Sequence, residues 1–156
     1  MINKIVENGF CIGCGLCSSV LGNDKCRMKL FDNGFYYPVV LDEKVNDKIV
    51  ANFCPGITVH DNRKHGVWGN VVDVEEAWAT DKELMYKAAS GGVSSAIALY
   101  MLGNGLVDAV LQVGREKDSA LYNELKVSRN QEEICNNAQS RYAPALTLSN
   151  LKQILD

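Results

Sequence analysis

The sequence predicts a chain of mixed α and β structure in two parts: a small α+β module over residues 1–60, and an α/β domain over residues 67–156. Three observations lead there. Five of the six cysteines lie in the first 54 residues, which confines any metal chemistry to the first part. A polar stretch, His60-Asp61-Asn62-Arg63-Lys64-His65-Gly66, reads as a linker. After it, apolar runs of strand length and helix length alternate, the pattern of strand–helix–strand units with short loops and right-handed crossovers. At 47% apolar content, the 156 residues can bury a real core, as one domain or as two small ones. A net charge of −3 gives no electrostatic case for nucleic acid or an anionic membrane surface.

The first part opens with Met1 to Phe10, a polar stretch without an apolar run. No secretory signal stands there, so six cysteines point to a reducing, cytoplasmic setting. Next comes Cys11-Ile12-Gly13-Cys14-Gly15-Leu16-Cys17, three cysteines at steps of three. Such steps let a short loop wrap one face of a compact cluster and aim successive thiolates inward. Gly13 and Gly15 leave room for tight turns and for amide N–H groups near the sulfurs. A 4Fe-4S cluster needs four thiolates, and Cys54 with Pro55 after it has the usual ferredoxin form of a remote ligand. Cys11, Cys14, Cys17 and Cys54 are thus the candidate metal ligands of a ferredoxin-like module. Cys26, in Lys25-Cys26-Arg27, is an alternative to Cys54. Zinc and disulfide readings stay open, although zinc favours two separated Cys-x-x-Cys pairs and only one such tract exists here.

Between these cysteines, Asp32-Asn33-Gly34 signals a turn and Phe35 to Val40 a short strand, with Pro38 marking an edge. Asp42 to Phe53 reads as a helix leading into Cys54. His60 and His65 read as solvated linker residues, since no ligand pattern accompanies them.

In the second part, Val71–Val74 and Glu76–Ala79 read as strand material, and Asp81 to Lys87 as a short helix capped by Thr80 or Asp81. Ser90 to Leu102 reads as a helix stopped by Asn104-Gly105. Its body, Ala96 to Leu102, is apolar nearly all round and reads as core; it is too short to span a bilayer. Val107 to Val113 reads as a strand buried on both faces of a sheet. Leu125–Val127 reads as another strand, and Asn130–Ala138 and Leu146–Leu155 as helices. Cys135 falls on the first of these, as a small buried residue.

Two further motifs carry chemistry. Ala89-Ser90-Gly91-Gly92-Val93-Ser94-Ser95 opens the strongest helix, where free N–H groups and two glycines would suit a phosphate. Ser90 as a plain N-cap followed by close-packing glycines is the competing reading. Gln139-Ser140-Arg141-Tyr142-Ala143-Pro144 offers an arginine fork for phosphate and a ring for stacking, or is simply a helix-linking turn.

The order Cys11-x-x-Cys14-x-x-Cys17, Gly34-Phe35-Tyr36-Tyr37-Pro38, Cys54-Pro55-Gly56, Ser90-Gly91-Gly92 and Ser140-Arg141-Tyr142 resembles the coenzyme F420 hydrogenase/dehydrogenase beta subunit family. The resemblance implies an iron–sulfur flavoprotein oxidoreductase. A 4Fe-4S cluster sits in the N-terminal part and FAD (or FMN) in the α/β part. Electrons pass between them and, in archaeal members, onward as hydride to coenzyme F420. It implies cofactor contacts from Ser90, Gly91, Gly92, Val93, Ser94, Ser140, Arg141 and Tyr142. It also implies a redox partner protein or subunit, a ferredoxin or a hydrogenase- or dehydrogenase-like chain. Relatives include a chlorophyll-cycle reductase and bacterial proteins of polysaccharide synthesis and pyruvyl transfer, and the Gly-Phe-Tyr-x-Pro and Cys-Pro-Gly wording is closer to the latter.

There are departures. Many relatives carry a Cys-Pro shortly after the triplet, where this chain has Ser18-Ser19-Val20-Leu21-Gly22; that supports a single cluster and leaves the role of Cys26 open. Family chains are usually much longer, so the flavin domain is expected to be incomplete and the activity of this chain alone is in question. Two other functions stay open: a non-catalytic partner module folded around a metal, and a polysaccharide-modifying enzyme on the same scaffold.

Overall fold

The computed structural model describes residues 1–57, 71–119 and 121–156. The linker with His60 and His65 lies outside the described residues. The fold is mixed, built among the described residues of short helices and two small sheets. Helices α1 (Ile2–Glu7) and α2 (Leu16–Leu21) are followed by strands β1 (Cys26–Leu30) and β2 (Tyr36–Val40) and a 3-10 helix over Asp47–Asn52. Then come α3 (Lys82–Lys87), a single 3-10 turn over Ser90–Gly92, α4 (Val93–Gly103), β3 (Val110–Arg115), β4 (Asn123–Ser128), α5 (Gln131–Asn136) and α6 (Leu151–Leu155). The chain divides into two compact units that interleave in sequence. One holds Met1–Val59, Leu111–Val127 and Arg141–Asp156; the other holds His60–Val110 and Ser128–Ser140.

In the first unit, β1 and β2 form an antiparallel pair with Cys26 opposite Val40 and Leu30 opposite Tyr36. The Asp32-Asn33-Gly34 turn joins them as expected: Gly34 N–H donates to Phe31 C=O, and Asn33 Oδ1 accepts from Phe35 N–H at 3.1 Å. Both strands of a two-stranded sheet are edges, so Pro38 is tolerated within β2. Strand β1 was not expected from the sequence. Its alternation is nevertheless real: Cys26, Met28 and Leu30 share one face, with Arg27 and Lys29 on the other. The expected helix over Asp42 to Phe53 shrinks to the 3-10 helix, because Asp42 caps a turn through Lys44 N–H instead of continuing a helix.

The core of this unit comes from the stretch that looked polar. Ile2 and Ile5 lie on one face of α1 and bury against Cys26 and Val50. Cys11, Cys17, Leu21, Val40, Phe53 and Cys54 pack around them. Asp47 ties the 3-10 helix to α1 by pairing with the Met1 ammonium and accepting from Ile2 N–H at 3.0 Å.

In the second unit, Asp81 caps α3 by accepting from Leu84 N–H at 2.7 Å, and Asn130 caps α5 by accepting from Glu133 N–H at 2.9 Å. Helix α4 packs on α5. Several expectations need correction. Val71–Val74 and Glu76–Ala79 form no strand. Among the described residues both sheets are two-stranded, pairing β1 with β2 and β3 with β4, so the expected both-sides-buried strand and its crossovers are absent. Along β3 only Gly114 is buried. Ile97 and Tyr100 of α4 are exposed, since the six-residue α5 covers only part of that apolar helix. Cys135 is exposed because its neighbour Ile134 takes the core-facing position of α5. The last helix starts at Leu151, not at Leu146.

Candidate functional site

The cysteine loop runs from α1 into α2. It crosses under β2, and Gly13, at φ +72°, sits where a Cβ would come within 2.8 Å of the Tyr36 carbonyl oxygen. Only glycine takes that backbone shape at that separation without strain. On its other side the loop is held by Leu148 N–H, which donates to Cys14 C=O at 2.8 Å. Cys54 stands on the turn after the 3-10 helix, with its N–H on Val50 C=O at 2.9 Å.

These elements bring Cys11, Cys14, Cys17 and Cys54 around one hollow. Its remaining wall is apolar and includes Ile2, Ile5, Met28, Pro38, Val50 and Phe53. Backbone N–H groups of Gly13, Leu16 and Ser18 act to lower the pKa of the Cys11, Cys14 and Cys17 thiols respectively. Burial, with a smaller contribution from the neighbouring thiols, pushes the Cys11 and Cys14 thiols up. The Cys17 thiol is pushed up by its hydrogen bond with Cys26 and then by burial. In an apolar, sulfur-rich hollow a thiolate therefore needs a bound cation to hold its charge.

Cys26 lies elsewhere. It is fully buried in the core with Ile2, Ile5 and Val50 and does not line the hollow. Among the described residues, no three His, Cys, Asp or Glu side chains stand close enough to share one metal ion.

The second motif forms a tight turn. Ser90, Gly91 and Gly92 all have positive φ, and Gly92, not Ser90, is the residue before α4, so the N-cap reading of Ser90 is corrected. The glycines serve close packing of the chain on itself: a Cβ on Gly91 would meet Trp78 at 3.2 Å, and one on Gly92 would meet Ala79 at 3.2 Å. Ala79 N–H donates to Gly91 C=O at 2.8 Å. This explains why the stretch before α3, expected as strand, instead lies extended against the turn. Ser90 and Ser94 are exposed. Ala89 N–H donates to Ala138 C=O at 3.2 Å, which lays the start of this motif beside the residues leading to Ser140. In the first unit, Arg141 keeps a buried Nε without a hydrogen-bond partner, and Tyr142 is 95% exposed. No helix among the described residues is long and apolar enough to cross a membrane.

Sequence reasoning missed the contact between Cys17 and Cys26. The alternation Cys26-x-Met28-x-Leu30 was the available signal, because it turns Cys26 and Met28 to the same side as the cysteine loop.

Comparison with known proteins bears on residues 74–152, which match the family model described as coenzyme F420 hydrogenase/dehydrogenase, beta subunit N-term. The cysteine loop lies outside that range. The coenzyme F420 hydrogenase subunit beta of Methanosarcina barkeri is 33% identical over 85 residues, 54% of this chain and 29% of that protein. The coenzyme F420-dependent sulfite reductase of Methanocaldococcus jannaschii is 27% identical over 146 residues, 91% of this chain and 21% of that protein. A chain from a xenon-derivatised structure of the F420-reducing [NiFe] hydrogenase complex of Methanosarcina barkeri is 32% identical, covering 49% of this chain and 26% of that one, with a TM-score of 0.45. The chain thus spans less than a third of the length of the relatives it matches. With half its length on the family model, the chain belongs to the coenzyme F420 hydrogenase/dehydrogenase beta subunit family.

Proposed function

We propose that this chain is the N-terminal portion of an iron–sulfur flavoprotein oxidoreductase that serves F420-linked redox chemistry with a partner subunit. The observation that carries the reading is the convergence of Cys11, Cys14, Cys17 and Cys54 on one apolar hollow. The sequence places these residue types at cluster spacing. Backbone N–H groups of Gly13, Leu16 and Ser18 favour the charged form of three of these sulfurs. The relatives named for coenzyme F420 support the redox class.

A bound 4Fe-4S cluster supplies one-electron uptake and release, and a bound flavin supplies the pairing of two electrons into a hydride. The protein's own residues supply the setting. The four thiolates hold the metal, and the N–H groups of Gly13, Leu16 and Ser18 offset sulfur charge. Ile2, Ile5, Val50 and Phe53 keep water from the hollow. For the flavin, the free N–H groups at the start of α4, with Ser90, Gly91, Gly92, Val93 and Ser94, are the pyrophosphate candidates, and Ser140, Arg141 and Tyr142 the second set. The buried Arg141 Nε, without a hydrogen-bond partner, favours a phosphate at that motif over a plain turn.

The test is anaerobic purification with iron, sulfide and flavin counted per chain. About four iron and four sulfide are expected in the wild type, with loss in each of Cys11→Ser, Cys14→Ser, Cys17→Ser and Cys54→Ser. Full iron in Cys54→Ser together with loss in Cys26→Ser would reject the ligand set. A colourless, zinc-bearing protein would favour a metal-stapled partner module. For the flavin, Gly92→Leu and Arg141→Ala should weaken FAD titration in a full-length form; unchanged curves in both would reject those residues.

A further inference from the structure

Helix α6 is five residues long, and a helix of that length does not hold itself together in water. Asn150 precedes it without making a side-chain cap bond. The cap comes from far off in sequence: Lys152 N–H donates to Ser19 Oγ at 2.9 Å, across 133 positions. Ser19 lies on α2, and its own N–H donates to Gly15 C=O at 3.2 Å, so Gly15 and Ser19 stand one turn apart on one face of that helix. Gly15, at φ +82°, rests on the same distant segment: a Cβ there would come within 2.8 Å of Ser149 Cβ and 3.0 Å of Ser149 Cα. Beside this contact, Leu148 N–H donates to Cys14 C=O at 2.8 Å. The segment Leu148–Lys152 thus grips the stretch Cys14–Ser19 at three points. Cys17 and Leu21, on another face of α2, pack on the core of Ile2 and Val50.

We propose that Ser19 is a positioning residue for the iron site: its hydroxyl latches Leu148–Lys152 in place, and that segment holds the Cys14–Gly15 peptide in the shape that presents Cys14 and Cys17 to the metal. This rests on the reading of Cys14 and Cys17 as iron ligands. A loop that is already in ligand shape loses less conformational freedom when it takes up metal. On the core side the loop is held by the buried Ser18, whose Oγ donates to Gly15 C=O at 2.8 Å. On the other side it is held by Leu148 and Ser149, and those contacts last only as long as the short helix that follows them. Ser19 sets that lifetime, because Lys152 N–H is one of the first-turn donors that α6 cannot satisfy within itself. Ser19 does not line the hollow, so it acts through the backbone of Cys14 and Gly15.

The experiment uses the anaerobically iron-loaded chain as wild type, Ser19→Ala, Ser19→Thr and Asp81→Ala. It reads iron release to a ferrous chelator, the spectrum of the reduced cluster, and amide exchange at Lys152. Alanine removes the acceptor and threonine keeps it. Asp81→Ala removes a helix cap of the same kind in the second unit and serves as the control for stability alone. Ser19→Ala should exchange Lys152 N–H and release iron roughly two- to thirtyfold faster, the range that loss of a cap sets, with a changed cluster spectrum. Ser19→Thr should match wild type, and Asp81→Ala should release iron at the wild-type rate. Faster exchange at Lys152 in Ser19→Ala, with iron release and spectrum unchanged, would overturn the proposal, since α6 would then have no hold on the site. Equal acceleration of iron release in Asp81→Ala would overturn it as a general effect of stability. Iron release as fast in Ser19→Thr as in Ser19→Ala would overturn the role of the hydroxyl. A wild type that carries no iron under the same conditions would reject the proposed function, and this proposal with it, before any variant is compared.

Discussion

Replacing Gly13 by alanine should break the seat of the cysteine loop, and the size of the effect follows from two terms. Gly13 has φ +72°, and an L-residue held there costs about 1–2 kcal/mol. The added Cβ would also stand 2.8 Å from the Tyr36 carbonyl oxygen, a backbone atom in a paired strand that cannot rotate away. Overpacking of that kind costs about 1–3 kcal/mol, so Gly13→Ala should lose about 2–5 kcal/mol in total. Gly34 is an internal control: its φ is +82°, but nothing lies within 4 Å of its Cβ position. Gly34→Ala should lose only the backbone term, about 1–2 kcal/mol. The difference, about 1–3 kcal/mol, amounts to roughly five-fold to 150-fold in the opening equilibrium. Native-state amide exchange at Cys26 and Leu41, whose N–H groups bond to Gly22 and Lys25 carbonyls, reads it directly. Equal losses in the two variants would mean that the loop does not lie against Tyr36, and the argument for how the hollow is built would fail.

Three further outcomes are expected. Asp47→Asn should destabilise the first unit by about 1 kcal/mol near neutral pH, because it removes a charged partner of Met1 and Ile2 N–H. Those hydrogen bonds hold the Asp47 carboxyl below its usual range. Its stabilisation is therefore full above the unfolded value near ~3.9 and disappears as pH falls through the lower folded value, so urea midpoints of wild type and variant should converge in acid and diverge above it. Asp81→Ala should cost about 0.5–2 kcal/mol through loss of the α3 cap, visible as faster amide exchange at Leu84 and Met85 with no change at Cys26. Removing metal from anaerobically loaded protein should loosen the small core around Ile2, Ile5 and Val50 more than the contact between Ala79 and Gly91; equal exchange changes at both would refute a stapling role for the metal.

Local signals in this chain were readable without the fold. Cysteine spacing marks the loop, because thiolates must reach one compact object from a short segment. Asp32-Asn33-Gly34 marks its hairpin turn, and Asp81 and Asn130 mark two helix starts, because a turn or a cap is made by residues within four positions of one another. The family model covers the two later motifs and not the cysteine loop. What the sequence alone left undecided depends on partners far along the chain. Whether Ile2 and Ile5 are core or surface turns on Val50 and Cys26 meeting them. Val71–Ala79 has strand composition, yet it finds no strand partner and packs on the glycine turn instead. Cys26 and Cys135 look alike as spare cysteines. One lies under Cys17 because β1 folds back beneath α2, and the other faces solvent because Ile134 takes the buried place beside it. Composition and spacing determine which groups can do chemistry; only tertiary packing, through burial and distance, decides which of them meet.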